Sequence, residues 1–177
     1  MYVMIRTFAT AVAAYSALTI GLASLGVPAS AASSPSLATL AQATTWFNGK
    51  PAESELRGRV VLVDFYTFNC INCKHTEPNL RALFHQHAPT ALRIIGVHSP
   101  ETAYEKDSRN VAASLKEQGI AWPVAVDNDF ALWNAYGVEA WPTQMIFDRH
   151  GRLRATIVGE GQDDKINSTI DALIAER

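Results

Sequence analysis

The most informative segment of this sequence is Val60-Val61-Leu62-Val63-Asp64-Phe65-Tyr66-Thr67-Phe68-Asn69-Cys70-Ile71-Asn72-Cys73. Its first half is an apolar run that predicts a buried strand, and the segment that follows, residues 74–87, predicts a helix. Cys70 and Cys73 are the only two cysteines among 177 residues. Because two thiols one helical turn apart can close on each other, this arrangement indicates reversible thiol–disulfide chemistry.

The positions of the two cysteines predict different roles. Cys70 is the predicted nucleophile, because the unpaired N–H groups and the positive dipole end of a helix start favour thiolate over thiol. Cys73 is the predicted resolving thiol, which attacks a mixed disulfide formed on Cys70. The alternative is a structural disulfide across a tight turn. Lys74 stands where a haem-attachment site needs histidine, and zinc would need two ligands besides the cysteines, so we predict no metal and no cofactor.

Composition fits one globular domain. Hydrophobic residues make up 48% and charged residues 18%, with a net charge of −2. A chain with this hydrophobic content is too apolar to be disordered. Its slightly negative net charge gives no indication of a basic surface for nucleic acid. Two cysteines are too few for a disulfide scaffold.

The N-terminus is expected to lie outside the fold. Arg6 is the only charged residue before Lys50, and residues 8–25 are rich in Ala, Leu and Val. With Ala29-Ser30-Ala31 after them, they predict a secretory signal over residues 1–31. An uncleaved membrane anchor is the alternative, because residues 8–25 are just long enough to span a bilayer. Either predicts an exported, periplasmic or otherwise extracytoplasmic protein. Residues 32–43 are predicted to be a linker and residues 44–177 the folded domain.

The pattern of the domain predicts an α/β fold with a mixed central sheet and helices on both faces. Turn residues 148–151 predict that the last two strands form an antiparallel hairpin. The predicted strands are residues 44–47, 60–66, 92–97, 124–126, 143–147 and 152–158. The predicted helices are residues 70–87, 103–118, 130–136 and 162–174.

Further residues resemble the thioredoxin fold. Asp64 lies six residues before Cys70, and Pro78 lies five after Cys73, where that fold has a buried acid and a helix-kinking proline. Residues 137–143 resemble the stretch that ends in the fold's cis-proline. Residues 65–73, 96–101, 122–129 and 159–161 are similar to the exported TlpA-like group, most of all to its DipZ-type branch.

The resemblance implies roles for three residues. Asp64, buried with a raised pKa, is expected to take the proton from Cys73, although a core acid without catalytic effect is the alternative. Pro142 is expected to follow a cis peptide bond, which leaves the Trp141 backbone free to pair with an extended substrate. An ordinary trans proline is the alternative.

Three more residues are candidates for lining the site. Glu77 lies one turn past Cys73 and either influences the thiols or is a surface acid. His98 and Glu101 lie at the end of a predicted strand that runs parallel to the strand before Cys70. They therefore share the carboxyl edge of the sheet, where binding and active sites are common.

The sequence thus predicts an exported thiol:disulfide oxidoreductase. The TlpA-like resemblance implies that it reduces disulfides in exported proteins, with a separate protein as electron donor, and we expect a monomer. The first alternative is a thiol peroxidase, because residues 67–70 match the T-x-x-C of peroxiredoxins. The second is a non-catalytic binding module that retains the fold.

Overall fold

The computed structural model describes residues 35–176. The predicted leader, residues 1–31, lies outside the described residues. The elements occur in the order β1 (Thr45–Phe47), α1 (Glu53–Leu56), β2 (Val60–Tyr66), α2 (Ile71–Gln86), β3 (Leu92–His98), α3 (Ser108–Glu117), β4 (Val124–Val126), α4 (Ala131–Tyr136), β5 (Thr143–Phe147), β6 (Leu153–Val158) and α5 (Asp163–Ala175). Two 3-10 helices, Leu37–Gln42 and Tyr104–Lys106, complete the set.

The six strands form one mixed sheet in the order β1-β4-β3-β2-β5-β6. β2, β3 and β4 run parallel, whereas β1, β5 and β6 pair antiparallel with their neighbours. All seven residues of β2 are buried, because this strand is central and covered on both faces. The predicted fold class and the predicted hairpin are confirmed.

Helices cover both faces of the sheet. On one face α2, α3 and α5 pack against Val60, Leu62 and Ile94, and Cys73 belongs to this core. On the other face α1, α4 and the first 3-10 helix pack against Val63 and Phe65. Alternation along β2 therefore points Asp64 and Tyr66 toward the face that α2 covers.

Two segments differ from their predictions. The predicted helix 103–118 is divided, because Asp107 has an extended backbone and its side chain accepts a hydrogen bond from Arg109 N, which begins α3 anew. The predicted linker 32–43 contains the 3-10 helix Leu37–Gln42, whose Leu40 is buried in the core. Apolar residues within an Ala/Ser-rich segment thus pack on the domain.

None of the helices in residues 35–176 has the length and apolar character needed to cross a membrane.

Candidate active site

Cys70 lies at the start of α2, after the carboxyl end of β2. It is the N-cap residue, with φ −67° and ψ 120°, and its side chain is partly exposed. Its N–H donates to Thr67 O at 3.2 Å, and its carbonyl accepts from Lys74 N at 3.1 Å. The backbone thus holds this thiol at the free N–H groups of the helix, within reach of solvent.

Cys73 lies behind Cys70 in the core, only 1% exposed. Both thiols are free. Burial, and after it the neighbouring Cys70 side chain, raise the pKa of Cys73. The pair therefore consists of one reachable sulfur and one protected sulfur that remains a thiol.

Asp64 is a buried acid beneath the cysteines, 4% exposed. It lies between Gly96 of β3 and Gln144 of β5 in the sheet, and Gln144 Nε2 donates to its Oδ1 at 3.0 Å. Burial raises the pKa of Asp64 to about 7, the Gln144 bond opposes this, and the charge of Glu77 adds to it. The carboxyl can therefore gain and lose a proton near neutral pH.

Glu77 is buried in α2, so the alternative of a surface acid is wrong. Its Oε2 accepts from Arg81 Nη1 at 3.2 Å, and burial raises its pKa. Its Oε1 is buried and has no hydrogen-bond partner among residues 35–176. The residue also lines a cleft of about 420 Å³ between α2 and α3, together with Phe68 and Lys74. Glu77 is therefore a second buried carboxyl with access to this cleft.

Tyr66 lies close to the buried residues Asp64, Glu77 and Cys73. Its hydroxyl is buried and unpartnered within the described part of the chain. Burial raises the pKa of Tyr66 well above its ordinary value, and the charges of Asp64, Glu77 and Cys73 add to this. A thiol, two carboxyls and a phenol thus influence one another where α2 packs on β2.

Trp141 and Pro142 precede β5, and the peptide bond between them is cis. Pro142 is buried, and its carbonyl accepts from Gly159 N at 2.9 Å. Trp141 is half-buried and packs on Trp133, with ring centroids 4.5 Å apart. Its backbone makes no backbone hydrogen bond within residues 35–176. Trp141 and Cys70 both pack against the core on the α2 face.

His98 and Glu101 occupy different environments. His98 is fully buried and stacks on Phe68, with centroids 5.3 Å apart and an interplanar angle of 17°. Burial lowers its pKa to about 4, so the ring is neutral at pH 7. It lies beneath the loop that precedes Cys70 and does not line an open surface. Glu101 is exposed, and its backbone N–H donates to Glu105.

Glu105 is the residue that the sequence analysis missed. It is fully buried, and its carboxylate accepts hydrogen bonds from Thr67 Oγ1 at 2.6 Å and Asn69 N at 3.2 Å. It lies in a segment predicted as an amphipathic helix, where a single glutamate gives no signal of burial.

No group of three or more His, Cys, Asp or Glu side chains in the described part of the chain is placed to hold a metal ion. His75, the histidine nearest to the cysteines in the sequence, contacts the carboxylate of Glu160 through its Nδ1.

Comparison with known proteins supplies the family. Residues 37–156 match the AhpC/TSA family. Protein DipZ of Mycobacterium tuberculosis is 38% identical over 131 residues, which are 72% of this chain and 19% of that protein. The thiol-disulfide oxidoreductase YkuV of Bacillus subtilis is 27% identical over 132 residues, which are 74% of this chain and 88% of that protein.

Solved structures agree with this fold. The crystal structure of a thiol-disulfide isomerase from Corynebacterium glutamicum superposes with a TM-score of 0.70 at 25% identity, covering 76% of this chain and 94% of the other. The chain spans about a fifth of the length of the DipZ protein it matches and most of the isomerase. With a thioredoxin-like fold and a family match over most of its length, the chain belongs to the AhpC/TSA family.

Proposed function

We propose that the chain is an exported thiol–disulfide oxidoreductase that reduces disulfide bonds in extracytoplasmic proteins. One observation carries the proposal: the partly exposed Cys70 lies at the start of α2, and the buried Cys73 lies one helical turn behind it. The similarity to YkuV and to the thiol-disulfide isomerase supports the same chemistry.

The reaction is two successive exchanges at sulfur. The Cys70 thiolate attacks one sulfur of a substrate disulfide, which forms a mixed disulfide and releases one substrate thiolate. Cys73 then loses its proton and attacks Cys70 Sγ, which forms the Cys70–Cys73 disulfide and releases the second substrate thiolate. The substrate gains two electrons and the cysteine pair loses them, so a separate thiol donor must reduce the pair again.

Asp64 is proposed as the proton acceptor for Cys73. Because burial raises the pKa of Cys73, the resolving step needs a base. Asp64 is close enough for its charge to raise that pKa further, and its own pKa of about 7 suits transfer near neutrality. The proton passes directly or through one water molecule.

Trp141 and Pro142 are proposed to hold the substrate. The Trp141 backbone has no backbone partner within residues 35–176, and its ring packs on the same core as Cys70. A substrate segment in extended conformation can therefore hydrogen-bond to Trp141 while its disulfide meets Cys70.

Export and direction rest on the sequence. The signal-like residues 1–31 support an extracytoplasmic location. A structural relative, described as the pneumococcal exposed lipoprotein thioredoxin (Etrx1), points the same way, at 27% identity and a TM-score of 0.57. The reducing direction follows the TlpA-like resemblance, and a monomer is proposed.

A thiol peroxidase is the competing enzyme, because Thr67 and Cys70 fit the peroxiredoxin pattern. The Thr67 hydroxyl has one proton, and it donates that proton to Glu105 Oε1 at 2.6 Å. It is therefore not available to a sulfur or a peroxide at Cys70, which favours disulfide exchange.

Insulin reduction with dithiothreitol as donor tests the proposal. The wild-type protein should accelerate it, Cys70→Ser should abolish the acceleration, and Ser168→Ala, on an exposed part of α5, should not change it. Cys73→Ser should stall with substrate attached to Cys70, detectable by mass spectrometry. A rate no higher than that of dithiothreitol alone, or full function after Cys70→Ser, would reject the proposal. Hydrogen peroxide consumption faster than insulin reduction would support the peroxidase instead.

A further inference from the structure

We propose that Glu105 is a positioning residue that holds the redox loop, residues 67–69, and thereby sets how readily Cys70 and Cys73 close into a disulfide. The inference rests on the proposed thiol chemistry of Cys70, and it adds a residue on a different element that controls this chemistry.

The two oxygens of the carboxylate bind two different segments. Oε1 accepts from the Thr67 hydroxyl at 2.6 Å and from Asn69 N at 3.2 Å, both in the redox loop. Oε2 accepts from Glu101 N at 2.8 Å, from Thr102 N at 2.7 Å and from Thr102 Oγ1 at 3.1 Å. One side chain therefore joins the loop before Cys70 to the turn after β3.

The carboxylate is ionised although it is fully buried. Burial alone would raise its pKa, but the hydrogen bonds from Thr67, Thr102 and Asn69 together hold it below the ordinary value. No Lys, Arg or His in residues 35–176 forms an ion pair with it. Charge-assisted hydrogen bonds to such a group are strong, so they restrain the two segments firmly.

The rest of the loop depends on the same arrangement. The Thr67 carbonyl accepts the hydrogen bond from Cys70 N. The position of Thr67 therefore directly affects the position of the nucleophile Cys70. Phe68 lies between His98, on which it stacks, and Tyr104, which its ring meets edge-on with centroids 6.0 Å apart. The His98 ring is neutral, so it does not compensate the charge of Glu105.

A held loop favours disulfide closure. Closure is an intramolecular reaction, and its equilibrium depends on how closely the surrounding structure keeps the two sulfurs in bonding geometry. When the Thr67 and Asn69 contacts are lost, Cys70 samples more orientations relative to Cys73. The effective concentration of one thiol at the other then falls.

The test is the equilibrium of the reduced protein with glutathione disulfide. Two cysteine thiols give two electrons and two protons to one glutathione disulfide, which yields the Cys70–Cys73 disulfide and two glutathione thiols. Glu105→Gln keeps the shape of the side chain but removes its charge and one acceptor oxygen. We expect it to reduce the equilibrium constant for closure at least about fivefold.

Two pairs of variants separate positioning from stability. Thr67→Val removes a donor to Oε1 and should also reduce the constant, whereas Thr102→Val removes a donor to Oε2 and should not. Asp148→Asn changes another buried carboxylate, in the turn between β5 and β6, where it accepts from His150 N and Arg152 N. It should lower the thermal midpoint and leave the constant unchanged. Glu105→Gln combined with Thr67→Val should be no worse than Glu105→Gln alone.

Thr67→Val retains the Glu105 carboxylate and can be measured even if Glu105→Gln does not fold. If the equilibrium constant for disulfide closure in Thr67→Val lies within twofold of the wild-type value, the inference is overturned. Equal effects of Thr67→Val and Thr102→Val would overturn it too. If the wild-type protein forms no Cys70–Cys73 disulfide with glutathione, it is the proposed function that fails.

Discussion

Replacing Asp64 with asparagine is expected to stabilise the folded protein at alkaline pH and to leave its stability nearly unchanged at acidic pH. The asparagine side chain would keep an oxygen for the hydrogen bond from Gln144 Nε2, which Asp64 Oδ1 accepts at 3.0 Å. The substitution would remove the ionised form, which is costly to bury beside the charge of Glu77.

The size of the effect follows from the pKa. Folding raises the pKa of Asp64 from 3.8 to about 7. Between these values the folded state holds the proton while the unfolded state has released it, so the free energy of unfolding falls as pH rises. Over the whole interval the loss is about 4 kcal/mol, and it stays constant above the folded-state pKa. The asparagine variant avoids this loss.

Urea unfolding at pH 5 and pH 8.5, with a reducing agent present, measures the difference. The free energy of unfolding of Asp64→Asn relative to the wild type should rise by at least about 2 kcal/mol between the two pH values. Asp148→Asn is the matched control, and it should lower the free energy of unfolding by a similar amount at both pH values. Hydrogen bonds from Arg152 and His150 lower the pKa of Asp148 to about 2 despite its burial. The native carboxylate is therefore ionised at pH 5 and at pH 8.5, and it stabilises the folded state at both. An equal effect of Asp64→Asn at both pH values would refute the argument.

Three further predictions concern the same buried group. Glu77→Gln should lower the pKa of Asp64, because it removes a neighbouring negative charge, and the carboxyl carbon shift of Asp64 in an NMR titration would report this. Tyr66→Phe removes a buried hydroxyl that lacks a partner in residues 35–176, so the urea midpoint should stay equal or rise. Gly96→Ala would place a Cβ 3.0 Å from Val124 Cγ2 and 3.1 Å from Tyr66 Cε1, and should cost about 1–3 kcal/mol in unfolding free energy.

Elements formed by local patterns could be predicted closely. The apolar run Val60–Tyr66, the helix after Cys70 and the hairpin around the turn at 148–151 all occur near their predicted bounds. Each is set by neighbours within a few residues: burial on both faces for the strand, the helix start for the cysteines and Gly151 in the turn. The split at Asp107 was missed because apolar spacing hides a cap in the middle of a helical pattern.

The electrostatics of the site could not be predicted to the same degree. Glu77 and Glu105 are ordinary charged residues in helical patterns, yet Glu77 is on the buried face of α2 and Glu105 lies under the redox loop. Burial of a single acid depends on which residues pack on it. Those residues, such as Thr67 against Glu105, are 38 positions apart in the chain.

Local spacing alone was enough to predict the cysteine pair at a helix start and the strand–helix frame of this protein, because the two cysteines and the apolar strand before them are close neighbours in the chain. Packing between distant segments settled which acids surround those cysteines and how each is held. Only the folded chain brings β3, β5, α2 and the turn after β3 together around Asp64, Glu77 and Glu105, and the ionisation of a buried carboxyl depends on that packing and on the donors it supplies.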